Sequence, residues 1–239
     1  MPKNARAAAR AALTEVSALK IRVRFTKEPC VRFLGHLDIM RAFQKCMNRA
    51  KIKMVYSEGF NPHQKMSFAL PLGLGLTSSA EYMDAEIADG QNCDEIKAAL
   101  NNVSGPGFEI LSVKQLAENA KKSMAAVKFA SFEYYFDGVI FTEDNVSKFL
   151  AKPEIIALKK TKKGESEVDI KPQIIKLEAC DDRLKMTLTA GSENNLKPET
   201  LVRAMFEMFY PDKQPEYLQM KRTELYAEGL VPLEDFETV

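Results

Sequence analysis

Tryptophan is absent from the 239-residue chain, histidine occurs twice and cysteine four times. Cys30, Cys46, Cys93 and Cys180 lie too far apart for a zinc ribbon, a dithiol redox pair or an iron–sulfur ligand set. Free, mostly buried thiols are therefore expected, with no metal and no cofactor. No apolar run approaches the roughly 20 residues that cross a bilayer. The N-terminus also lacks the apolar stretch of a secretory signal. These two absences make the cytoplasm the expected location and a membrane partner unexpected. The glycine patterns that cradle a dinucleotide or a triphosphate, GxGxxG and GxxxxGK[ST], are missing as well. Gly73 and Gly75 in LPLGLGLTSS are then read as close backbone packing.

What is present is the composition of a soluble globular protein, 46% hydrophobic and 28% charged, in a chain long enough for one large or two small domains. The net charge of +1 conceals an uneven distribution. From Lys20 to Lys65 eleven basic residues face three acids, whereas from Met66 to Ala120 eight acids face Lys97 and Lys114. A local excess of one sign says more about a polyanionic partner than the total does.

The order of elements follows from periodicity. Residues 1–19, rich in Ala and Arg, are expected to form a flexible tail. Ile21, Val23 and Phe25 alternate with Arg22 and Arg24, the signature of a strand with one apolar and one basic face. From His36 to Lys51, Ile39, Met40, Phe43, Met47 and Ala50 recur at helical spacing, and Arg41, Lys45 and Arg49 form a cationic row at successive i+4 steps. Short extended pieces at Lys53–Tyr56 and Ser67–Leu70, a strand at Glu81–Ile87, a helix capped by Asn92 and a strand at Glu109–Leu116 complete one round. A second round follows the Lys121-Lys122 junction. It holds strands at Val127–Asp137, Glu154–Lys160, Gln173–Ala179, Leu184–Ala190 and Glu216–Ala227, a helix capped by Thr142 and a helix begun by Pro198. Two βαββαβ rounds predict an α+β protein of tandem ferredoxin-like domains with antiparallel sheets, at 20–120 and 125–239, the second with an extra strand.

Between the first helix and the Glu81 strand lies YSEGFNPHQKMSFALPLGLGLTSSAEY, Tyr56 to Tyr82. A connection this long inside a compact domain is usually functional or disordered. Its Phe60, Met66, Phe68, Leu70, Leu72, Leu74 and Leu76 argue for burial over disorder. Gly59 permits positive φ, Pro62 keeps Asn61 extended, and the Asn61 side chain can bond nearby backbone. The result would be a fixed tip, Gly59 to Lys65, presenting Phe60, His63 and Lys65. An aromatic, a histidine and a cation together suit stacking on a base while pairing a phosphate. The plainer alternative is that Phe60 plugs the core beneath the loop. His36 and His63, assisted by Tyr56 or Lys65, would suit metal-independent RNA cleavage if the two rings converged. Otherwise His36 is a helix-start residue bonded locally by Asp38.

The stretches FLGHLDIMRAFQKCMNRAKI, YSEGFNPHQKMSFALPLGLG and SAEYMDAEI resemble the radical SAM-associated, or radical SAM-linked, family of bacterial proteins, most clearly over Ile21 to Ile87. In that family the domain occurs alone or after a radical S-adenosylmethionine enzyme domain, so the resemblance implies a partner more than a reaction. Gln64 stands where a second proline is commoner, and the CxxxCxxC cluster signature is missing. A more distant similarity reaches the CRISPR repeat-RNA endonucleases, but their glycine-rich loop near the C-terminus is not matched, Gly229 standing alone. The leading expectation is a non-catalytic RNA-binding accessory protein that acts with a separate radical SAM enzyme. In it Arg22, Arg24, Arg41, Lys45, Arg49 and Lys65 would meet phosphates, Tyr56 and Phe60 would stack, and His63 would touch a base or phosphate. The alternatives are an RNA endonuclease using His36 and His63 and a protein adaptor docking through the apolar loop residues.

Overall fold

The computed structural model describes residues 18–136, 138–161, 164–192, 194–217 and 220–239. The tail expected over 1–19 falls outside these residues up to position 17, and Ala18 and Leu19 already belong to the first strand. The first half runs β1 (Ala18–Lys27), α1 (His36–Arg49), β2 (Met66–Phe68), β3 (Thr77–Ala88), α2 (Cys93–Val103) and β4 (Ile110–Gln115). After a short helix, α3 (Ser123–Ala126), come β5 (Phe129–Tyr135), α4 (Glu143–Leu150), β6 (Ile156–Thr161), β7 (Gly164–Asp169), β8 (Ile174–Cys180), β9 (Arg183–Thr189), α5 (Pro198–Phe209) and β10 (Met220–Tyr226).

One sheet has the order β4-β1-β3-β10-β5-β9-β8, with β2 also on β3, and β6–β7 form a separate hairpin. Each half therefore carries the ferredoxin-like order of fourth, first, third and second strand, β4-β1-β3-β2 and β10-β5-β9-β8. All pairings are antiparallel except the seam, where β10 meets β3 in parallel through Lys221↔Thr77 and Arg222↔Ser78. The twelve-residue β3 makes this join because its N-terminal end pairs with β10 while Met83–Ala85 pair with β2.

The extra element of the second half is a complete hairpin. The sequence reading has strands at Glu154–Lys160 and Gln173–Ala179 around a polar, lysine-rich hairpin; in the structure β6 pairs with β7, which lies within that polar stretch, and β8 follows as the ferredoxin-like second strand. The expected strand at Lys53–Tyr56 is reduced to isolated bridges, Met54↔Ile87 and Tyr56↔Gln64.

The helices end where local chemistry says they should. The Asn92 side chain accepts from the backbone N–H of Asp94 at 2.8 Å and of Glu95 at 3.2 Å, and Thr142 forms a capping box with Asn145. Ile21, Val23 and Phe25 pack under α1 with Phe43, Met47, Met83 and Ile87, and Phe25 lies 4.4 Å from Phe43 between ring centroids. Burying each such side chain contributes about 1.5–3 kcal/mol. A second core gathers Phe132, Tyr134, Phe141, Leu201 and Phe206, and it takes in Ala69, Leu76, Ala80 and Tyr82 from the first half.

The loop between α2 and β4 presses against the turn after β1. At Gly107, φ is +96° and an added Cβ would stand 2.7 Å from Cys30 Sγ and from Val31 Cγ1. Gly107→Ala is therefore expected to cost about 2–3 kcal/mol, from backbone strain and overpacking together. A urea titration would show it as a lower midpoint with an unchanged slope, and an unshifted midpoint would mean that the loop gives way freely.

Candidate functional site

Phe25, Phe43, Phe68 and Phe108 fix α1 on the sheet through tilted and edge-on ring contacts. That anchoring turns Arg41, Lys45 and Arg49 outward, where all three are exposed. They line one cavity of about 530 Å³ together with Ser104, Gly105, Pro106, Phe43 and Phe108. A helix rises about 1.5 Å per residue, so cations four residues apart recur about every 6 Å. Arg49 is aimed by its neighbours: its guanidinium donates to Val103 O at 2.9 Å and to Cys46 Sγ at 3.2 Å. Arg41 lies 3.8 Å from Asp38 in an exposed pair, a geometry worth little in water. Lys45 makes no ion pair among the described residues.

On the neighbouring flank of α1 the chain from Lys53 to Lys65 forms a narrow ribbon that prolongs the sheet edge. Val55 N–H donates to Glu86 O at 2.9 Å, Lys65 N–H to Val55 O at 2.9 Å and Ser57 N–H to His63 O at 2.8 Å. Buried Gln64 donates to Asn48 Oδ1 at 2.8 Å, which pins the ribbon to α1. The tip turns at Gly59, with φ of +115°, and the residues around it, Glu58, Phe60, Asn61 and Pro62, are all exposed. Phe60 is fully exposed and Tyr56 is 46% exposed. Phe60 is thus not a core plug. Within the apolar strap, Phe68 and Leu76 are buried, Met66, Leu70 and Leu72 are half-buried, and Leu74 is exposed.

Three of the residues read as contacts, Arg22, Arg24 and Lys65, and the catalytic candidate His36 have other occupations. Arg22 is 1% exposed. It pairs with Asp84 at 2.8 Å and donates to Leu233 O at 2.7 Å and Phe236 O at 3.0 Å. Arg24 pairs with Glu224 at 3.0 Å and Glu234 at 2.6 Å. The alternation of β1 is as expected, but its basic face is covered by the C-terminal segment, which bridges Leu116 to Thr238 and joins Lys114 to Asp235. In the same cluster Tyr82 donates to Glu224 at 2.6 Å. Burial, reinforced by the Glu224 charge, pushes the Tyr82 hydroxyl well up, and burial raises the Glu224 carboxyl, so Tyr82 remains the donor. Lys65 is held by Glu86 at 3.0 Å. His36 packs edge-on against Phe68, 5.4 Å between centroids.

His63 is exposed on the ribbon, its backbone N–H donating to Ser57 Oγ at 3.0 Å. Among the described residues no hydrogen bond or ring contact joins His36 to His63. Nor does any group of three or more His, Cys, Asp or Glu with the geometry to hold a metal ion occur among them. No helix among them is long and apolar enough to cross a membrane.

The sequence reading passed over Phe33 and Leu37, which are 65% and 57% exposed, and it expected burial for Leu74, which is 65% exposed instead. Gly75 N–H donates to Arg32 O at 3.0 Å, bringing the strap beside the turn that carries Phe33. The Arg32 guanidinium stands over the Phe33 ring at 5.1 Å. The signal was present in FLGHL, where Leu37 falls off the core-facing stripe of α1 and Phe33 lies in the turn ahead of the helix.

A family model described as "Uncharacterized protein conserved in bacteria (DUF2344)" matches residues 20–198. No curated protein matches the chain. Among solved structures, a chain of the "Crystal Structure of a Cbf5-Nop10-Gar1 Complex" is similar with 8% identity and a TM-score of 0.44. That similarity covers 86% of this chain and 48% of the other, so this chain spans about half the length of the one it matches.

Proposed function

The chain belongs to this bacterial family, DUF2344, and we propose that it is a non-catalytic RNA-binding accessory protein whose binding surface is the outward flank of α1 with the adjoining ribbon. The observation that carries the reading is the cationic row. Arg41, Lys45 and Arg49 are exposed and line a single cavity, whose lining also includes Phe43 and Phe108. A row at about 6 Å intervals suits successive phosphates of one strand, and RNA recognition favours single strands whose bases can splay onto aromatic side chains. Phe60 and Tyr56 supply such faces, and His63 beside them contacts a base or phosphate. Arg22, Arg24 and Lys65 are left out of this surface because their charges are already matched. The nuclease reading needs His36 and His63 at one reacting bond, and among the described residues no hydrogen bond or ring contact between them supports it.

A partner that is a separate radical SAM enzyme, in RNA processing or modification, is supported by the motif resemblance alone. The adaptor reading has one observation in its favour, the exposed apolar trio Phe33, Leu37 and Leu74, which would form such a contact.

Phe60→Ala tests the stacking role cleanly because the side chain touches no core. Stacking on one base contributes about 1–3 kcal/mol. The variant is expected to bind a fluorescent single-stranded RNA at least about fivefold more weakly while its melting temperature stays unchanged. Equal affinity in an anisotropy titration would remove Phe60 from the interface. Binding by neither protein at low salt would remove the RNA reading itself.

A further inference from the structure

Two neighbouring i+4 rows of α1 line the cavity of about 530 Å³: the cations Arg41, Lys45 and Arg49, and beside them Asp38, Ala42 and Cys46. The first row is exposed throughout, whereas the second passes from exposed Asp38, paired with Arg41 at 3.8 Å, through half-buried Ala42 to buried Cys46. Alanine at position 42 leaves room that a longer side chain would fill. Half-buried Val31, Leu34 and Phe108 and exposed Pro106 add apolar surface to the lining. Exposed charge and accessible apolar surface thus share one cavity.

The loop that lines it opposite α1 in sequence, Ser104 to Phe108, is held by bonds at both ends. Ser104 N–H donates to Leu100 O at 2.8 Å, and Phe108 N–H to Gly105 O at 3.4 Å. The Asn101 side chain brackets Ile110, donating to its carbonyl at 3.0 Å and accepting from its N–H at 2.8 Å. Glu28 N–H donates to Gly107 O at 2.9 Å, and Arg49 ties the last turn of α1 to Val103 O. The cavity is therefore preformed, and its volume lies in the range of small-ligand sites, about 300–1,000 Å³.

A phosphate makes no use of apolar surface, and an apolar ligand makes no use of three cations. A nucleotide within a strand uses both, because an unstacked base can splay into a pocket while the phosphates on either side stay on a basic track. We propose that this cavity takes one unstacked base of the RNA strand whose phosphates lie along Arg41, Lys45 and Arg49. The base enters beside Ala42 and Gly105 and rests on the apolar surface of Leu34, Pro106 and Phe108. The RNA class is then a single strand or a bulged nucleotide, since the bases of a continuous duplex are stacked and paired. This inference rests on the RNA reading of the same surface.

Anisotropy titrations of the full chain with labelled decaadenylate, decauridylate and an abasic ribose phosphate decamer test the proposal. At least one base-bearing strand is expected to bind about tenfold or more tightly than the abasic one. Ala42→Leu fills the cavity from α1, and Gly105→Leu fills it from the loop, where an added Cβ meets nothing within 4 Å. Each is expected to cut the preference for bases about fivefold or more, with the abasic affinity, the salt slope and the melting temperature unchanged. Phe60, which is not part of the cavity lining, keeps its share of that preference in both variants. Should Ala42→Leu fold poorly, Gly105→Leu and the abasic comparison carry the test. An undiminished preference in the folded variants, or equal binding of base-bearing and abasic strands by the wild type, overturns the base pocket and leaves the cationic row standing. No binding of any strand by the wild type at low salt removes the RNA reading and the pocket with it.

Discussion

Glu81→Gln is expected to destabilise the protein by about 3–5 kcal/mol, the usual effect of removing one partner from a buried ion pair. Glu81 is 6% exposed and accepts from Arg222 Nε at 2.9 Å, while Arg222, itself 1% exposed, also donates to Leu70 O at 2.7 Å. Lys27, 0% exposed, shares the same region and donates to Arg32 O at 3.0 Å. Two buried cations thus depend on one carboxylate, and they do so at the seam where β3 and β10 pair through only Lys221↔Thr77 and Arg222↔Ser78. Without that charge the Arg222 guanidinium, which does not lose its proton, is left uncompensated. For a chain of this size the loss corresponds to a fall in Tm of roughly 10 °C.

Lys27→Met should behave in the opposite way, neutral or stabilising, because it removes a buried charge that lacks a carboxylate of its own. Burial, with Arg222 adding to it, holds the Lys27 ammonium below its ordinary value despite the pull of Glu81. The sign of the pH dependence follows from that direction. Between its folded value and the ordinary 10.5, the unfolded chain holds the proton that the folded chain has shed. Stability from this group therefore rises as pH climbs toward 10.5, and Lys27→Met should lose that rise. Urea titrations of wild type and both variants at neutral and alkaline pH would check the ordering. A Glu81→Gln protein as stable as wild type would show that solvent reaches the seam.

Replacing Arg41, Lys45 and Arg49 together by alanine is expected to remove most RNA affinity. Each phosphate contact on a single strand adds about 0.7 to the slope of log affinity against log salt, so three contacts account for a slope of about 2. Between 50 and 200 mM salt that amounts to about a twentyfold loss of affinity in the wild type, which the triple variant should not show. The fold should survive, since all three side chains are exposed. The Arg49 bonds to Val103 O and Cys46 Sγ and the exposed Arg41–Asp38 pair are sacrificed, the strongest of them at about 1 kcal/mol.

Much of the architecture was legible because it is local. The alternation of Ile21, Val23 and Phe25, the stripe along α1 and the caps at Asn92 and Thr142 each need only a few neighbouring residues to be recognised. The twofold βαββαβ order then leads to the two ferredoxin-like strand orders. What escaped depends on distant partners. Arg22 and Arg24 look like a solvent-facing basic row until Leu233, Glu234 and Phe236 fold over them from more than two hundred positions away. The cluster of Lys27, Glu81 and Arg222 is invisible for the same reason. Phe60 illustrates a different limit, since an apolar residue between turn-formers reads alike whether it plugs a core or is presented to solvent. The strand β7 was not separated from its polar surroundings because its sequence, GESEVD, carries a single large apolar residue and so shows no alternation.

The central claim is that the outward flank of α1 holds the phosphates of a single RNA strand. The most direct measurement is fluorescence anisotropy of a labelled single-stranded RNA against wild type and the Arg41/Lys45/Arg49 triple alanine variant over a salt series. A wild-type salt slope that falls by about 2 in the variant, with affinity falling alongside it, is the predicted result. Equal slopes and equal affinities in the two proteins, or no binding by wild type at 50 mM salt, would contradict it.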